Sequence, residues 1–191
     1  MDDIVKAALL KWPNVPDCYG WLGLDARGNW YMRDDGAQAA GPFCAPSAEP
    51  GRQAASKGSL LKHEKLIDFI QRNYASNAQG QWFFQNGPQR VFVELEATPY
   101  VWRIGHEPDF DVTAHTGQVA ITQRCIIDEH GRVYLETALG FGLVHTLDML
   151  HAADAIERGL WVPQEVLAKD LHSRFGYVRS PQAESKLLLK T

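Results

Sequence analysis

The chain has 191 residues, 45% of them hydrophobic and 22% charged, with a formal net charge of −4. That balance belongs to an ordinary folded domain, and it excludes disorder over most of the length. Lys and Arg are scattered without a basic run, so the footprint of a nucleic-acid binder is missing, and no apolar run approaches the ~20 residues that cross a bilayer.

The first element is a short helix over residues 3–11, where Ile4, Val5, Ala8, Leu9 and Trp12 recur at helical spacing behind Asp2 and Asp3. Its acidic start and lysine-broken apolar run do not suit a signal peptide. Next, YGWLGLDARGNWYMRD holds two apolar runs joined by Asp25-Ala-Arg-Gly28, a β-hairpin signature. Residues 35–58 are rich in Gly, Pro, Ala and Ser with little to bury, and read as a long flexible loop. Ser59 is placed to cap a helix over 60–75, with Leu66, Ile67, Phe69, Ile70 and Tyr74 on one stripe. Three strands follow, Trp82–Gln85, Arg90–Glu96 and Tyr100–Ile104, then a second hairpin whose tip is Asp128-Glu-His-Gly131. The period turns helical from Leu143 to Arg158, and again from Pro163 to Leu171.

These elements predict one α+β domain over 1–179, with a mostly antiparallel, curved or partly closed sheet built from hairpins and helices packed on one side. Residues 180–191 read as a C-terminal tail. The two hairpins echo each other, with Asp25, Gly28 and Tyr31 matching Asp128, Gly131 and Tyr134. A duplicated hairpin would explain this, and so would turn chemistry alone.

Candidate chemistry falls in three places. HTLDMLHAAD spaces His145, Asp148, His151 and Asp154 by threes, which drifts about 60° per step on a helix and parts the two histidines by roughly 120°. A two-histidine metal site prefers i and i+4, so the stretch reads as a solvated face, with Leu147 and Leu150 entering the core while Asp148 and His151 face water. Ahead of it, Gly140 and Gly142 in GFGLVH resemble part of a dinucleotide fingerprint, but His145 stands where the motif needs Gly or Ala and no βαβ unit surrounds it. What survives is a possible anion seat on free backbone N–H groups beside His145, or a simple sharp turn. HEPDFDVTAH adds His106, Asp109, Asp111 and His115, and a metal set of His115, Asp111 and His145 is the sharpest hypothesis it supports. The third place is the aromatic meander. Alternation puts Val91, Val93 and Leu95 on one face and Arg90, Phe92, Glu94 and Glu96 on the other, and groups Tyr100 with Trp102. A face that mixes rings with charge suits a polar ligand or a protein partner.

The cysteines, Cys18, Cys44 and Cys125, are odd in number and lack Cys-x-x-Cys, which fits a reducing cytoplasm and no zinc framework. No Gly-x-Ser-x-Gly and no phosphate loop occur, and no cofactor is indicated. WPNVPDCYGWLGLDARGNWYMRD and GQWFFQNGPQRVFVELEATPYVWR resemble hallmark segments of an uncharacterised proteobacterial family, a domain of unknown function of similar length. The resemblance implies a bacterial, cytoplasmic domain and brings no activity, cofactor or site with it. Two functional readings follow. One is a non-enzymatic module binding a small polar ligand or protein partner through Arg90, Phe92 and Trp102 or through Gly140, Gly142 and His145. The other is a metal-assisted or His-based hydrolase using His145 with His115, Asp111 or His151.

Overall fold

The computed structural model describes residues 1–44 and 54–188. The chain divides into two compact units, Met1–Asp25 with Asn29–Glu96 and Val178–Thr191, and Ala26–Gly28 with Ala97–Tyr177. Residues 45–53, most of the central part of the expected loop, lie outside the described residues.

The first unit starts with α1 (Asp3–Lys11), followed by the hairpin of β1 (Cys18–Leu24) and β2 (Trp30–Met32). Part of the expected loop is ordered: α2 (Asp35–Ala40) is capped by the Asp34 carboxylate on the Ala37 N–H, and β3 (Ser59–Leu60) pairs with β2. Ser59 therefore stands in a strand. The next helix, α3 (Glu64–Arg72), begins later than expected and is capped by His63. Its sequel turns directly into β4 (Tyr74–Ser76), β5 (Trp82–Asn86) and β6 (Gln89–Leu95). These six strands form one sheet in the order β3-β2-β1-β6-β5-β4, antiparallel except for the β1/β6 pair.

The second unit holds β7 (Tyr100–Ile104), β8 (Val112–Ala114), β9 (Val119–Ala120), β10 (Thr122–Ile127), β11 (Val133–Thr137) and β12 (Gly140–Val144). After a 3-10 turn over Thr146–Asp148 come α4 (Met149–Glu157), β13 (Pro163–Glu165) and α5 (Leu171–Arg174). The sheet order is β13-β10-β11-β12-β7-β8-β9, with β10/β13 and β7/β12 parallel. Val178–Leu188 then return to the first unit, and the expected tail forms α6 (Pro181–Leu188) against β1 and β6. The α+β class stands, with both sheets mixed rather than purely antiparallel. In the first unit helices reach both faces: Phe69 of α3 meets Phe84 edge-on at 5.4 Å, while α6 binds Glu94 on the opposite face.

The late helix corrects the wheel drawn from sequence. Gly140–Val144 is strand, so Leu143 belongs to a two-residue period and cannot set the phase of a helix that begins at Met149. Ala152 and Ala155 face inward instead, Leu147 and Leu150 are 75% and 78% exposed, and Asp148 is buried. Burial of Asp148 is matched by Arg103, whose Nε donates to it at 2.5 Å, and by the Ile104 N–H at 3.1 Å. Pro163, expected to open a helix, opens strand β13.

The hairpin echo extends beyond the turns. Tyr134 donates its hydroxyl to buried Asp128, and Tyr31 interacts with Asp25 through the same kind of bond. Gly23 faces Tyr31 as Ile126 faces Tyr134. Each hairpin's first strand also has a parallel partner in the same place, with the Glu96 N–H on the Leu24 carbonyl and the Val166 N–H on the Ile127 carbonyl. One hairpin design is thus used twice.

Gly142 shows how tightly the second sheet is packed. A Cβ there would lie 2.4 Å from Trp102 Nε1 and 2.7 Å from the Tyr100 carbonyl oxygen. Trp102 is fully buried and donates that same Nε1–H to Leu135 O. Gly142→Ala should therefore lower stability by roughly 1–3 kcal/mol, read as a lower Tm and a changed tryptophan emission, whereas an unchanged Tm would contradict this packing.

Candidate functional site

A cavity of about 160 Å³ opens in the first unit, lined by Pro42, Phe43, Cys44, Glu94, Leu95, Arg179 and Ser180. Three pieces of chain meet there. β6 contributes Glu94, which the strand's alternation turns to the face it shares with Phe92, and Leu95, whose carbonyl lies 3.6 Å from Cys44 Sγ. The segment after α2 contributes Phe43, which lies so close to β1 that a Cβ on Gly23 would fall 2.4 Å from its ring. The chain entering α6 contributes Arg179 and Ser180, held by the Leu95 N–H on the Arg179 carbonyl and by Arg179 Nη2 on the Glu96 carbonyl at 2.6 Å.

Glu94 is the chemically unusual group. It is 3% exposed, and among the described residues no cation lies within salt-bridge distance of its carboxylate. Ser180 donates its hydroxyl to one oxygen at 2.5 Å, and the Gln182 N–H donates to the other at 3.0 Å. Ser180 also accepts from the Ala183 N–H, so Glu94 and Ser180 together cap the first turn of α6. Buried Arg33 acts on Glu94 from farther away, with its guanidinium donating to the carbonyls of Gly20, Gly41 and Ser56. Burial pushes the Glu94 carboxyl above its ordinary range, and Ser180, Gln182, Arg33 and Lys186 only partly offset this. Burial likewise drives the Cys44 thiol up to about 11, so that at neutral pH it is an uncharged wall of the cavity.

A carboxylate has about four acceptor positions, and Glu94 uses two of them. Asp128 makes the contrast clear. It borders an open depression with Glu129 and Glu165, but accepts from the N–H groups of His130 and Arg132, from Arg132 Nε and from Tyr134. Its capacity is consumed in shaping the hairpin. Glu94 keeps capacity for a donor arriving from the cavity.

The residues singled out from sequence are placed as follows. Phe92 is buried and stacked on Tyr19 at 4.6 Å, while Arg90 is exposed over the Phe83 ring at 5.2 Å. Neither lines the cavity, although both share the Glu94 face of β6. Trp102 is core. Gly140 and Gly142 stand in β12, laddered to β11, and Gly142 also to β7, rather than ahead of a helix. Their N–H groups form no seat at a helix start. His145 is buried, and its Nδ1 accepts the Leu147 N–H at 3.1 Å. His115 follows β8, and its Nδ1 accepts from the Val101 N–H. Because β7 lies between β8 and β12 in the sheet, His115 and His145 sit on opposite sides of it. Asp111 is exposed. Among the described residues no three His, Cys, Asp or Glu side chains are grouped to hold a metal ion. His106 and His151 do meet, with ring centroids 4.5 Å apart.

Sequence reasoning brought Glu94 to the correct face and missed Arg179, Ser180 and the Pro42–Cys44 segment. One signal was available: Ser180-Pro181 followed by QAESKLLL carries a capping serine and a proline at the first helical position.

A family model described as "Protein of unknown function (DUF2946)" matches residues 1–182. No curated protein matches the chain. Among solved structures, a DUF1285 family protein from Silicibacter pomeroyi DSS-3 is similar at 12% identity and a TM-score of 0.48, over 81% of this chain and 84% of that one. A DUF1285 family protein from Shewanella baltica OS155 is similar at 13% identity and a TM-score of 0.42, over 70% of this chain and 91% of that one.

The raised Glu94 carboxyl has a measurable consequence. Folded, it holds its proton more tightly than the unfolded chain does near 4.5, so its contribution favours the fold below that value and is lost as pH rises through the folded value. Glu94→Gln keeps the shape and removes the titration. The stability of the variant relative to wild type, from urea midpoints, should therefore rise with pH above about 4.5, whereas parallel curves would contradict the buried carboxyl.

Proposed function

The chain belongs to the family of unknown function whose model matches residues 1–182, and from that premise we propose that it is a non-enzymatic module binding a small polar molecule in the cavity beside Glu94. The observation that carries this reading is a carboxyl 3% exposed on a cavity wall with acceptor positions unused. A buried carboxylate has room for several donors, and Asp128 fills that room within the fold, so acceptor positions left over on a cavity wall favour an external donor. A cavity near 150 Å³ accommodates a molecule of about benzene size, which sets the scale of the ligand at roughly six to eight heavy atoms.

The hydrolase alternative draws less support. His145 spends Nδ1 on a backbone N–H, His151 Nδ1 lies 3.0 Å from the Ile104 carbonyl, and His115 approaches from the other side of β7. The Arg90–Phe92 surface draws less support as well, because Tyr19 already covers Phe92.

A screen of polar molecules of this size by thermal shift and amide NMR tests the proposal. At least one should bind with amide shifts centred on residues 42–44, 94–95 and 179–182, and at about a hundred times its Kd should add roughly 2.7 kcal/mol to stability. Cys44→Met, which extends a side chain into the cavity, should abolish those shifts. Hits that map only elsewhere, or that bind the folded variant equally well, would contradict it.

A further inference from the structure

We propose that the ligand of this cavity is a small monocarboxylic acid bearing a neighbouring amino or hydroxyl donor, with the donor on Glu94 and the carboxylate on Arg179. The inference rests on the cavity being a ligand site. It adds which chemistry these two side chains select.

Two of the lining side chains, Glu94 and Arg179, bear opposite charge when ionised. Glu94 is acceptor-only when ionised, and its carboxylate retains capacity for an ammonium or hydroxyl hydrogen. Arg179 is exposed and spends one of its N–H groups on the Glu96 carbonyl, which leaves others for a planar carboxylate. Pro42 and Phe43 add apolar lining, suited to a short hydrocarbon body. The Cys44 thiol, neutral because of its burial, adds no third charge.

The surrounding charges are already engaged. Arg33 donates to three backbone carbonyls, and Lys57 is paired with Glu96 at 2.7 Å. Lys186 acts on Glu94 only at a distance. A simple amine would satisfy Glu94 and leave Arg179 facing the apolar body of the ligand. A plain carboxylate would satisfy Arg179 and leave Glu94 without its donor. A dicarboxylate would set one anion against another. The complement of both side chains is one molecule with a donor and a carboxylate, and the cavity's 160 Å³ fits one the size of valine or 2-hydroxyisovalerate.

The test compares L-valine, 2-hydroxyisovalerate, isovalerate, isobutylamine and isobutanol on the full chain, by calorimetry and amide NMR. Valine or 2-hydroxyisovalerate should bind best, with isovalerate and isobutylamine weaker by at least about ten-fold, since each forfeits one charge-assisted contact. Arg179→Gln, a surface change that should leave the Tm close to wild type, should erase the preference for valine over isobutylamine. Glu94→Gln should erase the preference for valine over isovalerate, with circular dichroism confirming that the variant is folded. Isobutylamine or isovalerate binding as tightly as the best acid, or an Arg179→Gln protein with unchanged preference, would overturn the assignment. If only isobutylamine or isobutanol moves the amides of residues 42–44 and 179–182, the ligand class fails and the cavity remains a site. If no probe moves them, both fail.

Discussion

The first unit depends on a buried carboxylate, Glu94, placed at the start of a helix that arrives from the far end of the chain. Taking a carboxyl out of water costs several kcal/mol unless donors replace the lost solvent. Here the donors are the Ser180 hydroxyl and the Gln182 N–H, the second of which is itself an unsatisfied group of a helix terminus. Two liabilities, a buried acceptor and a bare helix end, are matched to each other. The pairing fixes α6 against β1 and β6, and it holds Arg179 and Ser180 at the cavity.

Small residues make room for this arrangement. Gly20 leaves space in which the Gln182 side chain reaches Gln38, and Gly23 lets the Phe43 ring lie directly on the strand. A side chain at Gly23 would press on the Phe43 ring that walls the cavity, and one at Gly20 would displace the ends of the Gln182 and Gln38 side chains. Four carboxylates are buried among the described residues, and they meet the same constraint differently. Asp25 accepts from the Asn29 backbone and side chain, Asp148 is answered by Arg103 and the Ile104 N–H, Asp128 is saturated by its own hairpin, and Glu94 is left with acceptor capacity on a cavity wall.

Local periodicity made much of this architecture legible. The α1 helix, both hairpins and the three aromatic strands follow from alternation and turn residues, because those features are decided within a few residues of chain. Alternation along Val91, Val93 and Leu95 also assigned Glu94 to the face carrying Phe92. What was not legible depends on distant pairings. The strand at Gly140–Val144 exists because β11 and β7 flank it, and a run that short and apolar carries no period of its own. Starting the helix at Leu143, inside this strand, shifted the wheel, which turned Leu147 and Leu150 inward and Asp148 outward, the reverse of their placement. The cavity escaped for the same reason: Ser180 meets Glu94 across 86 residues of sequence, and neither strand nor helix pattern encodes that meeting.

The central claim is that the Glu94 carboxyl is held buried between a helix start and a cavity. A carbon-13 titration of the Glu94 side-chain carboxyl, followed together with the Gln182 amide proton, tests it most directly. The account predicts a carboxyl midpoint clearly above the ordinary value of 4.5, with the Gln182 amide moving through the same transition as its acceptor gains a proton. A midpoint at or below the ordinary value, or a Gln182 amide indifferent to it, would contradict the account.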